Sequence, residues 1–284
     1  MTYAIETREL TFRYEDGTLA LNKISFRAEK GKVTGILGAN GAGKSTLFLN
    51  LNGVLTPQGG EVYLDDTRVS YRHADLLMLR REVGIVFQDP DDQLFSADVY
   101  RDISFGPVNL GLSEDEVRSR VEAAMAQTGV SALRDKPTHA LSYGQKKRVA
   151  IAGVLAMGPK VIILDEPTAG LDPQGVSDIM RLLADLRDRL GITIILATHD
   201  MDIVPLYCDR VYLLSGGEMV QEGTPEELFG TPEGLRENHL RLPRIAHLME
   251  ILADVDGLPV DRSAATISAA RREILRLLRE QASQ

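Results

Sequence analysis

The segment Gly38-Ala39-Asn40-Gly41-Ala42-Gly43-Lys44-Ser45-Thr46 carries the strongest chemical signal in the chain. Its glycines let the backbone curl until successive N–H groups point inward, an arrangement that suits phosphate oxygens. The run Val33-Thr34-Gly35-Ile36-Leu37 before it reads as a buried strand, and Leu47, Phe48 and Leu51 after it recur at helical spacing. A helix starting near Gly43 adds the positive end of its dipole to the same place. On this reading Lys44 reaches the β- and γ-phosphates of a nucleotide, and the Ser45 hydroxyl is a ligand of Mg2+, which leaves kinases, small GTPases, helicases and transport ATPases open.

A second constellation lies downstream. Val161-Ile162-Ile163-Leu164 is an apolar strand that empties into Asp165 and Glu166. Two carboxylates at a strand's carboxyl end make sense where they meet a metal and a water. Asp165 is expected to hold the Mg2+ shell, through a water molecule, and Glu166 to orient and deprotonate the attacking water.

The elements that must position these groups follow from periodicity. Strands are expected at Ala4 to Phe12, Ile24 to Ala28, Glu61 to Leu64 and Val83 to Phe87, with a helical piece around Asp75 to Arg81. Ser113 to Thr128 reads as a charged amphipathic helix opened by a Ser113/Glu116 capping box. Ser142 to Met157 reads as another, stopped by Gly158-Pro159. Strand and helix then alternate through Val161 to Leu164, Pro173 to Leu190, Ile192 to Ala197, Met201 to Leu206 and Arg210 to Leu214. Such alternation predicts an α/β fold with a mainly parallel core sheet, an antiparallel β part before it, and an inserted helical subdomain at about 90–140. Residues 1–230 are expected to form this α/β unit.

Residues 231–284 change character. Pro243 can open a helix with Ile245, Leu248, Met249 and Leu252 on one face. A later helix carries Ile267, Ala270, Ile274, Leu277 and Leu278 in one stripe. These faces either pack on their own domain or join two copies of the chain; both readings stand.

Composition narrows the classes. With 284 residues, 44% hydrophobic and 26% charged, the chain can build a core without disulfides, and its one cysteine, Cys208, reads as a small buried hydrophobe. The net charge of −9 argues against a nucleic-acid partner. The basic run Lys146-Lys147-Arg148 reads as a solvated helix face. No stretch approaches the roughly 18–20 apolar residues needed to span a bilayer, so membrane association is expected only through partners. The start, Met1-Thr2-Tyr3-Ala4-Ile5-Glu6, lacks the basic-then-apolar order of a secretory signal. His239 and His247 lack acidic or cysteine neighbours at ligand spacing and read as solvated positions.

Leu141-Ser142-Tyr143-Gly144-Gln145, placed between the phosphate loop and Asp165-Glu166, resembles the LSGGQ-type signature of ATP-binding-cassette proteins, with Tyr143 at a position that varies across the class. The resemblance covers about residues 1–230. It implies roles for further residues. Gln88 looks like the glutamine that touches Mg2+ and water and relays movement to a membrane partner. Ala169-Gly170-Leu171-Asp172 looks like the dimer-contact loop, and His199 like the histidine that senses the γ-phosphate. Tyr14 resembles the aromatic residue that stacks on adenine, a contact worth about 1–3 kcal/mol by analogy with other base stacking. The family works as a dimer in which Ser142, Gly144, Gln145 and Asp172 of one subunit meet the ATP held by the other.

Phe87-Gln88-Asp89-Pro90-Asp91-Asp92-Gln93-Leu94-Phe95-Ser96, with the run from Leu141 to Gly153, is similar to the energy-coupling-factor importers, and closest to their cobalt-transport, CbiO-type ATPases. That resemblance implies a homodimer, or a pair with a paralogous ATPase, on the cytoplasmic face of the cell membrane. An integral-membrane coupling protein and a substrate-binding membrane subunit complete such an importer, whose cargo is cobalt, nickel or a vitamin. The Q-loop neighbourhood around Gln88 would form a groove for a helix of the coupling protein. DNA-repair and chromosome-maintenance relatives place a long coiled coil between phosphate loop and signature. Here about a hundred residues separate Ser45 from Leu141, without sustained heptads. Ribosome-acting relatives usually fuse two cassettes, and this chain holds one. A purely regulatory ATP binder would lack part of the catalytic set, whereas Glu166 and His199 are both present.

Overall fold

The computed structural model describes residues 2–282. Met1, the first residue of the segment considered as a signal, and Ser283 and Gln284, the end of the C-terminal extension, lie outside the described residues.

The chain opens on a long antiparallel hairpin, β1 (Tyr3–Arg13) and β2 (Leu19–Glu29). β2 begins five residues before the expected Ile24, because Leu21 and Phe26 are buried as well as Ile24. β3 (Val33–Leu37) follows, buried along its whole length, and runs through the glycine-rich loop into α1 (Lys44–Leu51). β4 (Gly59–Leu64) pairs antiparallel with β1, and the two-residue β5 (Thr67–Arg68) pairs with β4. These four strands form one sheet in the order β2-β1-β4-β5.

α2 (His73–Glu82) leads into β6 (Val83–Val86), which ends one residue before the expected Phe87. A helical region comes next: α3 (Val99–Asn109), α4 (Glu114–Thr128) and α5 (Tyr143–Leu155). Both capping boxes form, Ser113 with Glu116 on α4 and Ser142 with Gln145 on α5, each satisfying donors left open at a helix start. Val99, Ile103, Val117, Val121, Val149 and Ile151 share one core cluster, so the three helices pack as a unit.

The remaining strands complete the second sheet. β7 (Val161–Asp165) is followed by α6 (Pro173–Leu190), and β8 (Thr193–Ala197) by the single turn α7 (Val204–Tyr207). The helix expected from Met201 shortens to that turn because Pro205 can sit only at a helix start. β9 (Arg210–Ser215) and β10 (Glu218–Gly223) form a closing hairpin. The order is β10-β9-β3-β8-β7-β6, parallel from β9 to β6. Strands covered on both faces can be continuous apolar runs, and β3, β6 and β8 are buried at every position.

Beyond the hairpin lie α8 (Pro225–Gly230), α9 (Glu233–Glu237), α10 (Arg244–Glu250) and α11 (Ile267–Ala282), with a π-type turn at Ile251–Val255 after α10. Leu235, Leu242 and Ala246 join Met201, Val204 and Phe229 in one core, so the first half of the extension packs on its own chain. The expected stripes are met only in part. Ala246 and Met249 are buried on α10 while Leu248 is exposed, and on α11 Ala270 is buried while Ile267, Ile274 and Leu278 are exposed.

Candidate nucleotide-hydrolysis site

Four parallel strands end at one edge of the second sheet, and each delivers a piece of the site there. β3 delivers the phosphate loop, β7 delivers Asp165 and Glu166, β8 leads to His199, and β6 leads to Gln88. Convergence at the carboxyl ends of neighbouring parallel strands is where open α/β sheets bind ligands.

Gly43 caps α1 with φ of +109°, and a Cβ there would stand 2.7 Å from the Ala20 carbonyl oxygen. Only glycine fits both demands. Lys44 is buried, and its ammonium donates to the carbonyls of Gly38 (2.7 Å) and Ala39 (3.1 Å). Asn40 and Gly41 are exposed at the loop's crest while Ala42 tucks into the core. Tyr14 is half-exposed, packed edge-on against Phe12, and its hydroxyl lies 2.9 Å from the Thr46 hydroxyl. The ring expected to meet adenine therefore stands beside the first turn of α1.

The Ser45 hydroxyl donates to Asp165 Oδ2 at 2.7 Å, although the two residues are 120 positions apart. A hydroxyl and a carboxylate in contact form a hard-oxygen pair of the kind Mg2+ prefers, so the expected metal residues fit the ion. Glu166 is buried with φ of +47°, a left-handed conformation that costs a non-glycine residue about 1–3 kcal/mol. Its N–H donates to the Ala197 carbonyl at 3.1 Å, and its carboxylate receives His199 Nδ1 at 2.7 Å and the His199 backbone N–H at 3.2 Å. The rest of the imidazole is open to solvent. Gln88 is exposed just past the end of β6.

Ser142 is exposed at the start of α5, where its hydroxyl and the Gln145 side chain serve the cap. Gly144 lies 3.6 Å, measured from an added Cβ, from Leu171 of the following loop. Asp172 is exposed and caps α6 by accepting from the Gly175 N–H at 2.7 Å. The signature segment and the Ala169–Asp172 loop thus lie side by side on the surface.

One expectation is overturned. Lys146-Lys147-Arg148 is not a solvated face: Lys147 is 2% exposed, and its ammonium donates to the carbonyls of Glu166 (3.0 Å) and Gln88 (3.1 Å). Burial pushes its pKa down to about 8, against the opposing pull of the Glu166, Asp89 and Asp165 carboxylates. Lys146 instead pairs with Asp91, and Arg148 donates to the Thr128 carbonyl. Three consecutive cations point three ways, as helical geometry demands. The signal was available: Lys147, Ile151 and Val154 recur at the spacing of one buried stripe.

Cys208 is partly buried against the core, and burial pushes its thiol up to about 12, which disfavours the nucleophilic thiolate. His247 pairs with Glu250, His239 is exposed, and no cluster of metal-ligating side chains occurs among the described residues. No helix of the described residues is long and apolar enough to cross a membrane.

Residues 21–169 match the ABC transporter family. The chain is 56% identical over 272 residues to the energy-coupling factor transporter ATP-binding protein EcfA3 of Clostridium perfringens, covering 96% of this chain and 95% of that one. The chain belongs to the energy-coupling-factor group of ATP-binding-cassette ATPases. It is also 52% identical over 278 residues to the energy-coupling factor transporter ATP-binding protein EcfA of Methanocaldococcus jannaschii, covering 98% and 99% of the two chains. Among solved structures it is similar to cbiO1 of Clostridium perfringens, part of the ABC transporter complex cbiONQ, with a TM-score of 0.77 and 57% identity over 88% of this chain and all of that one. A dimeric post-hydrolysis ATP-binding cassette bound to ADP and Pi matches with a TM-score of 0.69 and 28% identity, covering 78% of this chain and 98% of that one. This ATPase therefore binds ATP and hydrolyses it as the ATP-binding subunit of a transporter.

Proposed function

We propose that this ATPase drives uptake as a dimer that closes on two ATP molecules at the cytoplasmic face of the cell membrane. The observation that carries the reading is the convergence of Ser45, Asp165, Glu166 and His199 at one sheet edge. There the phosphate loop holds the triphosphate, with Lys44 on its β- and γ-phosphates. Ser45 and Gln88 would ligate Mg2+ and Asp165 would meet it through water, and the ion when bound would draw charge from the phosphates. Glu166 takes a proton from a water whose oxygen attacks the γ-phosphorus. The bond from that phosphorus to the bridging oxygen breaks, and ADP and phosphate leave. His199, hydrogen-bonded to Glu166, would respond to the γ-phosphate. Tyr14 would stack on the adenine.

The trans half of each site comes from Ser142, Gly144, Gln145 and Asp172 of the other subunit, either a second copy of this chain or a paralogous ATPase. Two-fold symmetry makes the exchange reciprocal. Contacts made to ATP but not to ADP let hydrolysis shift the equilibrium between closed and open dimers. The dimeric state of a relative's solved cassette supports this reading.

A membrane partner is supported by the surface beside Gln88. Val54, Phe87, Phe95, Phe105 and Met157 line a groove there, and Phe95 and Phe105 stack edge to face at 4.7 Å while remaining 66% and 51% exposed. Large aromatics left open on a groove suit a helix of an integral-membrane coupling protein. Residues 1–230 would serve as the ATPase unit with its helical subdomain at about 90–140, and 231–284 as an extension that strengthens the dimer through α11. Cobalt is the proposed cargo, carried by a substrate-binding membrane subunit; this rests on the likeness to the CbiO-type ATPases. Affinity capture of the tagged ATPase from solubilised membranes tests the assembly. Recovery of an integral-membrane coupling protein, with ATP-dependent cobalt uptake after reconstitution, is expected. Uptake of nickel or a vitamin instead would move the cargo, and recovery of no membrane protein would overturn the importer.

A further inference from the structure

Lys147 has no part in the reaction as described so far, yet it is the most deeply buried lysine at the site. A buried ammonium is costly unless all its hydrogens find partners, and a leucine would fill the space without that cost. Each of its three N–H directions has a destination. Two reach the carbonyls of Glu166 and Gln88 at 3.0 and 3.1 Å, and the third faces the Tyr143 ring, whose centroid is 5.4 Å away. Tyr143 contacts the same neighbours: its hydroxyl is 3.4 Å from the Gln88 carbonyl, and its ring lies where a Cβ on Gly170 would come within 2.8 Å.

The connection matters because of what the two carbonyls belong to. Glu166 occupies a left-handed conformation, and its peptide planes are gripped on both sides: the N–H by Ala197 and the C=O by Lys147. Gln88 sits on an exposed loop beside the aromatic groove. Lys147 itself stands on α5, the helix that begins at Ser142. A single side chain therefore joins the water-activating residue, the loop beside the groove and the helix whose first residue serves the other subunit.

We propose that Lys147 is a positioning residue for hydrolysis, which locks the backbone of Gln88 to that of Glu166 so that a shift of the groove loop re-aims the carboxylate. The proposal rests on the roles given above to Gln88 and Glu166. Lys147→Met keeps the length and bulk while removing every donor. Lys147→Gln keeps two N–H donors without the charge.

The test is ATPase kinetics on the full chain, paired with calorimetry using a non-hydrolysable ATP analogue and peptide-resolved hydrogen exchange. Lys147→Met should lower kcat about tenfold or more while the analogue's Kd changes less than about twofold, because only the reacting geometry is lost. Exchange should rise together in peptides spanning 86–92 and 165–170, and stay unchanged over 38–46. Lys147→Gln should recover part of both. Wild-type kcat and exchange in Lys147→Met would overturn the proposal. So would a uniform rise in exchange with matching loss of affinity, which marks a merely structural lysine, or loosening of one segment alone. Exchange is read without turnover, so it keeps its meaning if Glu166→Gln still hydrolyses ATP and the role of Glu166 fails.

Discussion

The carboxyl edge of the six-stranded sheet and the C-terminal extension solve opposite problems. At the edge, buried strands hold polar groups at fixed positions, and the groups satisfy one another: Ser45 on Asp165, His199 on Glu166, Lys147 on two carbonyls. In the extension the polar groups are mostly surface ion pairs, and it is apolar side chains that remain open, with Ile267 74% exposed and Leu278 56% exposed. A preorganised polar cluster marks where chemistry happens, because it costs nothing further to align during reaction. An open apolar stripe marks where a surface is to be covered. Changes at the edge should therefore alter rate, affinity and the ATP-driven closure that depends on them, while leaving the α11 surface as it is. Changes in α11 should do the reverse.

The largest effect is expected for Glu166→Gln. Loss of the proton acceptor should lower kcat about 10²- to 10⁴-fold while leaving ATP affinity near wild type, measured by phosphate release and calorimetry. Turnover near the wild-type rate would remove Glu166 from its role and blunt the contrast at its sharpest point. Lys44→Ala comes next. Losing charge-assisted hydrogen bonds worth about 1.5–3 kcal/mol should weaken ATP binding roughly ten- to hundredfold by calorimetry. Unchanged affinity would count against the phosphate loop.

On the other side of the comparison, Ile274→Asp with Leu278→Asp should weaken self-association about tenfold in sedimentation, since covering the still-exposed parts of two aliphatic side chains is worth about 1.5 kcal/mol. The melting temperature of the isolated chain should stay within about 1 °C, because both side chains are already exposed in it. An unaltered dimer constant would leave α11 without a role in pairing. The smallest effect is expected where the two regions meet. Asp202, three residues past His199, accepts the Arg244 N–H at 2.8 Å and so caps α10 from across the chain. Asp202→Ala should cost about 1 kcal/mol of stability in denaturant unfolding, as loss of a helix cap does. No change would mean that the extension is held by its apolar core alone.

The same contrast governs what was legible beforehand. The phosphate loop, Asp165-Glu166 and the signature are runs whose residues act where they stand, so spacing alone exposes them. Contacts made across long separations are another matter. Ser45 with Asp165 could be expected once both were tied to Mg2+. Lys147 was legible only in part: its spacing from Ile151 and Val154 marks a buried stripe, but its partners, the carbonyls of Gln88 and Glu166 at 59 and 19 positions away, come only from the fold. β10 was missed because Glu218-Met219-Val220-Gln221-Glu222 is an edge strand with little apolar alternation, formed by its pairing with β9. In the extension, periodicity located α10 and α11 but not the short α9, nor which faces are covered. Ala246 is buried where α10 meets Met201 and Val204 and Met249 where it meets Ala264 and Ala270, while Leu248 stays open, and these are tertiary facts.

The most direct measurement is a crystal structure of Glu166→Gln with ATP and Mg2+. The account predicts two nucleotides sandwiched between two chains, with the Ser142 hydroxyl of the partner subunit at hydrogen-bond distance, about 2.5–3.0 Å, from the γ-phosphate held by Lys44. Chains that pair only through α11, leaving each γ-phosphate untouched by the other subunit, would contradict it.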